Sequence, residues 1–117
     1  MKPSDILIKA QRLIEKPENW NDTYYRSGSI FDCDGAIAYA AGLEVGLKQM
    51  DPGTDDPVYL EARNYASKAQ LEVMPDLVTV PVKEVRNHVL ASWHGITHDR
   101  VMKLFDKAIE NAKADGR

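Results

Sequence analysis

The sequence has little of what marks a secreted, membrane-spanning or nucleic-acid-binding protein. Cys33 is its only cysteine, so the chain cannot form an internal disulfide. No segment approaches the roughly 20 apolar residues of a membrane-spanning helix, and residues 1–10 lack the basic start and apolar core of a signal peptide. A net charge of −3 provides no broad basic surface for nucleic acid or anionic lipid. We therefore expect a cytoplasmic protein that binds neither nucleic acid nor membranes.

The composition is that of an ordinary globular domain. Hydrophobic residues make up 44% of the chain and charged residues 28%, which excludes the disordered and fibrous classes. A chain of 117 residues is large enough for one hydrophobic core but small for two. We therefore predict a single domain that spans residues 1–117.

The clearest periodic segment lies at the end of the chain, in residues 96–114. Its apolar residues recur at alternating spacings of three and one, which places them on one face of an amphipathic helix. These residues are Val101, Leu104, Phe105, Ala108, Ile109 and Ala112. Thr97 fits the N-cap position, where its hydroxyl can accept a hydrogen bond from a main-chain N–H of the first turn. We predict that the rest of the chain packs against this helix.

Four earlier segments also favour helices, with proline, glycine and capping residues at their ends. They are residues 4–16, capped by Ser4; residues 35–49, capped by Asp32 or Asp34; residues 57–72, capped by Asp56; and residues 81–95. In the last segment, residues 89–93 can alternatively be extended, and the β-like run at residues 77–80 is too short to anchor a sheet. On the first helix, Lys9, Arg12 and Lys16 are expected on the solvated face.

The predicted fold is therefore an all-α bundle of four or five helices, with a long aromatic loop after the first helix. The loop covers residues 17–31 and shows no sustained periodicity, although it contains Trp20, Tyr24, Tyr25 and Phe31. Loops of this length in compact domains are often functional, or are packed by their own side chains. Two interpretations stay open, in which the aromatic rings either bind a partner or cover the core.

Two aspartates follow the loop, in the run IFDCDG at residues 30–35. This run resembles the signature of the haloacid-dehalogenase phosphatases, in which the first aspartate is the nucleophile and the second a general acid. That signature follows a buried strand, whereas the residues before it here are polar, and the chain is short for that family's sheet. We therefore predict that Asp34 caps the second helix, and we keep Asp32 and Asp34 as candidate ligand-binding residues.

Three histidines, His88, His94 and His98, form the other polar group of interest. The spacing of His94 and His98 across a helix junction is compatible with zinc ligands, but the chain has no paired cysteines to complete such a site. The alternative is that these histidines face solvent or cap a helix. We assign no catalytic residue, metal ligand or cofactor.

Several pieces of the sequence, read in order, resemble a small family of uncharacterised bacterial and phage-borne proteins, known as a domain of unknown function. The pieces lie at residues 10–20, at the Asp/Gly stretch and alanine-rich run of residues 32–42, and at residues 97–109. That family has an Asn-Asp pair shortly before its final helix, where this chain has His94 followed by Gly95. The resemblance implies the helical architecture and implies no catalytic residues.

These observations favour a non-enzymatic binding or interaction module with an unknown protein or small-molecule partner. The candidate binding residues are Trp20, Tyr24, Tyr25, Asp32, Asp34, His94 and His98. The alternative is a small metal-dependent hydrolase that uses Asp32 and Asp34, or His94 and His98. A third hypothesis is a homo-oligomer built on the small-residue face of the second helix.

Overall fold

The computed structural model describes residues 1–21, 26–45, 56–73 and 97–117. These residues are mainly helical, as predicted, and they contain the helices α1 (Pro3–Leu13), α2 (Cys33–Ala40), α3 (Pro57–Val73) and α4 (His98–Ala114). Two short strands, β1 (Arg26–Ser27) and β2 (Ile30–Phe31), precede α2. The predicted helix at residues 81–95 and the β-like run at residues 77–80 lie outside the described residues.

The last helix, α4, was predicted to be the helix against which the rest of the chain packs. It packs against α1 and α3, whereas α2 packs mainly against α1. Thr97 caps it as predicted, because its Oγ1 accepts a hydrogen bond from the main-chain N–H of Arg100 at 3.3 Å. The buried residues of α4 are Val101, Leu104, Phe105, Ala108 and Ala112, and Ile109 is partly buried against them. This apolar stripe packs against both α1 and α3, so one amphipathic pattern positions two other helices.

The third helix begins as its sequence predicts. Asp56 is confirmed as the cap, since its Oδ1 accepts hydrogen bonds from the main-chain N–H groups of Val58 and Tyr59 at 2.9 and 3.1 Å. Val58, in the first turn of this helix, is apolar but 41% exposed. The buried face of α3 starts at Tyr59 instead.

The ends of the first helix differ from the prediction. Ser4 does not cap α1, because the N-cap is Lys2 and no side chain makes a capping hydrogen bond. The Ser4 hydroxyl instead donates to the main-chain carbonyl of Arg117 at 3.0 Å, a contact between chain ends that no local pattern reveals. At its other end α1 stops at Leu13, ahead of the predicted residue 16. Ile14 leaves helical geometry and lies fully buried in the core.

The second helix starts at Cys33 with Asp32 as its cap. The Asp32 Oδ1 accepts a hydrogen bond from the main-chain N–H of Gly35 at 2.6 Å, so the prediction that Asp34 takes this role was wrong. Nearly the whole of α2 is buried within the chain, including the small residues Ala36, Ala38 and Ala40. On the small-residue face that we considered for homo-oligomers, Ala38 is buried and Gly42 is exposed, and Gly46 lies outside the described residues.

The second helix is also shorter than predicted, because it ends at Ala40 and residues 41–45 are not helical. Gly42 has a φ of +94°, the left-handed conformation that glycine adopts most readily just after a helix. The main-chain N–H of Leu43 then bonds back to the carbonyl of Ala38 at 3.0 Å. This C-terminal motif satisfies the last carbonyls and turns the chain away from the helix axis.

A small hairpin forms inside the segment that we predicted to be an irregular loop. β1 and β2 pair antiparallel, with Arg26 opposite Phe31 and Ser27 opposite Ile30. Gly28 has a φ of +62° in the connecting turn, as tight hairpin turns require. The hairpin places the side chains of Arg26 and Phe31 beside each other at the start of α2.

The helices enclose one continuous core of mainly aliphatic side chains. α1 packs against α2 and α3 as well as α4. The Cα radius of gyration is 12.7 Å, close to the value of about 13 Å for a compact chain of roughly 100 residues. Among the described helices, none has the length and apolar character to cross a membrane.

Replacing Phe105 by alanine tests the packing of α4 against α1 and α3. Phe105 is fully buried and is the largest such side chain in the described part of the chain, so its loss should leave a cavity and lower the free energy of unfolding by about 3–5 kcal/mol. Urea denaturation followed by circular dichroism measures this change. Lys103→Ala, on the exposed side of the same helix, is the control and should change it by less than about 0.5 kcal/mol. Similar losses for both variants would contradict this packing.

Candidate functional site

A cluster of polar side chains lies inside the protein, between α2 and α3. The Asp34 carboxylate, on the first turn of α2, accepts a hydrogen bond from the Tyr59 hydroxyl at 2.7 Å. Its other oxygen lies 3.3 Å from the Arg63 Nε, which donates to it. Tyr59 and Arg63 are four residues apart on α3 and therefore share one face of that helix. Because Asp34 and Tyr59 are both buried, this contact joins the two helices through a desolvated ion pair.

The polar face of α3 continues beyond this ion pair. Tyr59, Arg63, Ser67 and Gln70 follow one another at spacings of four, four and three residues, and we call them the polar stripe of α3. Ser67 and Gln70 are each only 1% exposed, and an Arg63 guanidinium nitrogen reaches the Ser67 hydroxyl at 3.5 Å. Polar residues of this kind are buried only where they find partners, so the stripe is a specific feature of the interior.

Arg63 keeps its charge inside this cluster. Burial lowers the pKa of its guanidinium, but the Asp34 carboxylate, helped by Tyr59, raises that pKa by more, and the net pKa is raised. Burial also raises the pKa of the Cys33 thiol well above its usual value, and both neighbouring aspartates add to this effect. A thiol that stays protonated is a poor nucleophile. Cys33 is therefore a packing residue of α2.

The pKa of the Asp32 carboxyl lies in the range that suits acid–base chemistry near neutral pH. It is only 3% exposed, and burial raises the pKa of its carboxyl to about 7. The hydrogen bond from Gly35 opposes this rise, and the nearby Asp34 adds to it. A carboxyl group with such a pKa exchanges its proton near neutral pH, which is a property shared by many catalytic carboxyls.

The aspartates do not form part of a metal site in the described ranges. No three His, Cys, Asp or Glu side chains in residues 1–21, 26–45, 56–73 and 97–117 are grouped so that they could hold a metal ion. Asp34 is already engaged by Tyr59 and Arg63. Asp32 caps α2. The two aspartates thus lie together as the sequence suggested, within a cluster whose other members are a cation and hydrogen-bond donors.

Trp20 and His98, which are far apart in the sequence, contact each other in the fold. Their ring centroids are 5.7 Å apart, at an interplanar angle of 59°. The His98 Nε2 lies 2.7 Å from the main-chain carbonyl of Ile14. Because a carbonyl only accepts hydrogen bonds, Nε2 must carry a proton. His98, the first residue of α4, therefore donates a hydrogen bond to the main-chain carbonyl of Ile14 at the C-terminal end of α1. This is a structural role for a residue that we considered as a candidate binding residue.

Trp20 is positioned by its main chain as well as by its ring. Trp20 forms a parallel bridge with Phe31, and the N–H of Asn21 donates to the Phe31 carbonyl at 3.0 Å. The indole Nε1 is buried and has no hydrogen-bond partner among the residues that the structure describes. Phe31 directly precedes Asp32, so β2 connects the Trp20–His98 pair to the aspartates. Of the other predicted binding residues, Tyr24, Tyr25 and His94 lie outside the described residues.

An open groove borders the hairpin on the protein surface. It has a volume of about 620 Å³, within the range of small-molecule sites. We call it the Arg26 groove, and its lining residues are Lys9, Arg26, Tyr39 and residues 42–45. Among these described lining residues Glu44 is the only acidic one, and Lys9 and Arg26 are the basic ones.

The Arg26 guanidinium is held in place by aromatic rings. Its central carbon lies 4.9 Å from the centroid of the Tyr39 ring and 5.3 Å from that of Phe31, both within the distance of a cation–π interaction. The rings themselves pack at 5.1 Å. The Arg26 Nε also donates to the carbonyl of Gly28 at 2.7 Å. These contacts fix the orientation of the guanidinium without neutralising its charge.

This groove was not predicted from the sequence. Lys9 was assigned to a solvated helix face, and neither Arg26 nor Tyr39 was singled out. One local signal was present, because Gly28 and Ser29 between two short runs are typical of a hairpin turn. Recognising that hairpin would have placed Arg26 opposite Phe31. The contribution of Lys9 and Tyr39 depends on how α1 and α2 pack, which no local pattern shows.

The raised pKa of Asp32 can be tested by measuring the free energy of unfolding at two pH values. Since the pKa is about 7 in the folded chain and 3.8 for the free side chain, the folded state binds the proton more tightly. The stability that this proton provides is complete below about pH 4 and is lost as the pH rises towards about 7. Asp32→Asn cannot titrate and still caps a helix. Its free energy of unfolding relative to wild type should rise by roughly 2–3 kcal/mol between about pH 5 and about pH 8.

Urea denaturation at the two pH values measures this difference. Asp56→Asn, at the cap of α3, is the matched control, because it makes the same chemical change at a less buried cap. If the difference between Asp32→Asn and wild type stays constant over this pH range, Asp32 does not titrate as its burial implies.

Comparison with known proteins places the chain in a family. Residues 1–111 match a family of unknown function, DUF6197. Comparison with curated proteins and with solved structures returned no match. The family match covers nearly the whole chain, which confirms the resemblance to a domain of unknown function. The chain therefore belongs to the DUF6197 family.

Proposed function

We propose that this protein is a non-enzymatic binding domain and that the Arg26 groove is its ligand-binding surface. The observation that carries the proposal is the Arg26 guanidinium, which is held by two aromatic rings and one carbonyl on the wall of an open groove. A charged group that is oriented in advance loses little conformational freedom when a ligand binds. Arg26 and Phe31 also belong to the aromatic segment that the sequence suggested as a binding surface.

The lining of the groove supports recognition of a small molecule. Tyr39 is 37% exposed and presents an amphipathic ring, while Leu43 and Val45 contribute apolar surface. Ligand sites commonly combine such apolar walls with a few oriented polar groups. Lys9, Arg26 and Glu44 are the polar groups here.

A fragment screen by protein-observed NMR tests this function. The library should contain neutral, cationic and anionic aromatic fragments, so that the result does not depend on ligand charge. We expect some fragments to shift the amide signals of residues 42–45 and of Arg26. Tyr39→Ala should weaken that binding by about tenfold, since it removes one ring of the groove and loosens Arg26.

Leu60→Ala is the control for this screen, because Leu60 is similarly exposed, at 38%, and lies on α3 away from the groove lining. It should leave fragment binding unchanged. Thermal unfolding of both variants verifies that the fold is intact. The proposal fails if no fragment of any charge shifts the groove signals.

One observation favours the alternative of a metal-dependent hydrolase. Burial raises the pKa of the Asp32 carboxyl to about 7, and Asp34 lies close by. However, the Asp34 carboxylate is already paired with Arg63 and Tyr59, and a cation beside a carboxylate opposes metal binding there. The hydrolase hypothesis alternatively uses His94 and His98. The His98 Nε2 is hydrogen-bonded to the Ile14 carbonyl, and His94 lies outside the described residues.

Calorimetric titration with zinc, magnesium and manganese separates the two functions. The full chain should be purified without a chelator or an affinity tag. We expect no heat of binding above that of the buffer for any of these metals. Stoichiometric binding that Asp34→Asn or His98→Ala abolishes would favour the hydrolase over the binding domain.

A further inference from the structure

We propose that the Arg26 groove recognises a small organic acid, with one oxyanion group bound between Arg26 and Lys9 and an apolar body placed against Tyr39 and Leu43. This inference rests on the proposed function and names the chemical class of its ligand. The shared feature of the class is a carboxylate or phosphate carried on a compact apolar frame.

The hydrogen-bonding capacity of Arg26 favours a ligand with an oxyanion group. A guanidinium has five N–H donors in a planar fork, and Arg26 uses one of them, on Nε, for the Gly28 carbonyl. Tyr39 and Phe31 contact the guanidinium through their rings and accept no conventional hydrogen bond from it. The remaining N–H groups have no partner in the described part of the chain. Their geometry matches the two oxygens of a carboxylate or phosphate.

The charges around the groove also favour an anionic ligand. The chain as a whole carries a net charge of −3, so an exposed cation usually has acidic neighbours. Nevertheless, among the described residues no ion pair engages Lys9 or Arg26, even though Glu44 lines the same groove. Within the described part of the chain, two cations therefore share a groove with one carboxylate and form no ion pair with it. Positive charge without an ion-pair partner in these residues is available to an anionic ligand.

Glu44 limits how much negative charge the groove accepts. With two cations and one carboxylate among the described lining residues, the net charge of this part of the groove matches a ligand with a single acidic group. A polyanion would bring its further charges towards Glu44 and would be disfavoured by repulsion. This charge balance favours a small monoacid over nucleic acid, in agreement with the acidic character of the whole chain.

The apolar part of the lining defines the rest of the ligand. One side of the Tyr39 ring is covered by the Arg26 guanidinium, and the ring retains an exposed fraction of 37%. Leu43 is partly buried and Val45 is buried, close to the core. With a volume of about 620 Å³, the groove accommodates an aromatic or branched aliphatic acid.

A pair of probes with the same ring tests the inference. Benzoate carries the oxyanion, and benzamide replaces it by a neutral amide of nearly equal shape. In titrations of the isotope-labelled full chain followed by NMR, benzoate should shift the Arg26 side-chain Nε–H signal and the amides of residues 42–45. We expect benzamide to bind at least about tenfold more weakly, because it offers no charge-assisted hydrogen bonds. Phenyl phosphate should resemble benzoate at about pH 5, where its phosphate carries mainly one negative charge.

Variants assign the effect to individual cations. Arg26→Gln should weaken benzoate binding by about tenfold or more, and Arg26→Lys should lose much of the affinity because an ammonium group cannot form the planar fork. Lys9 is exposed on α1, so Lys9→Gln leaves the packing unchanged and should weaken binding about threefold. Arg12→Gln makes the same charge change on the same helix, outside the groove lining, and should have no effect.

The outcomes separate this inference from the function on which it rests. If benzamide and benzoate bind the groove equally, or if both Arg26→Gln and Lys9→Gln leave benzoate affinity unchanged, the oxyanion inference is overturned while the groove remains a binding site. If neither probe binds and no fragment of any charge shifts the groove signals, both proposals are overturned. Because Lys9→Gln removes no packing contact, the test remains decisive even if Arg26→Gln destabilises the fold.

Discussion

A carboxylate inside the core imposes the main constraint on this structure. Asp34 is almost fully buried, and a buried carboxylate is strongly destabilising unless a cation and hydrogen-bond donors surround it. Arg63 and Tyr59 provide these partners from α3. This ion pair restricts how α2 can lie against α3, and α1 packs against both helices. The apolar stripe of α4, in contrast, tolerates small shifts in packing.

The same short region of the chain connects the interior cluster to the surface groove. β2 ends at Phe31, directly before Asp32, the cap of α2. Asp34 in α2 belongs to the polar cluster, and the Phe31 ring contacts Arg26 in the groove. Gly42 then ends α2 in a left-handed conformation and directs residues 43–45 along the groove wall. The hairpin and the early end of α2 are thus the two departures from the predicted fold that create the candidate binding surface.

The parts of the fold that sequence predicted well are those encoded by local patterns. The caps at Asp56 and Thr97 and the stripe of α4 depend on residues within one or two helical turns, and the structure confirms them. The burial of the polar stripe of α3 was not predicted, since apolar periodicity gives no weight to Arg63 or Gln70. Their burial depends on partners elsewhere in the chain, Asp34 in the case of Arg63.

For the candidate site, too, individual residues were predicted from the sequence, whereas their contacts in the fold were not. Asp32, Asp34, Trp20 and His98 were recognised as unusual residues, but their pairing depends on tertiary contacts such as that of His98 with Ile14. Cys33 has a further practical consequence. As the sole thiol of the chain, fully enclosed and held in its protonated form, it is a built-in reporter of core opening, because a thiol reagent can modify it only in molecules whose interior has become accessible.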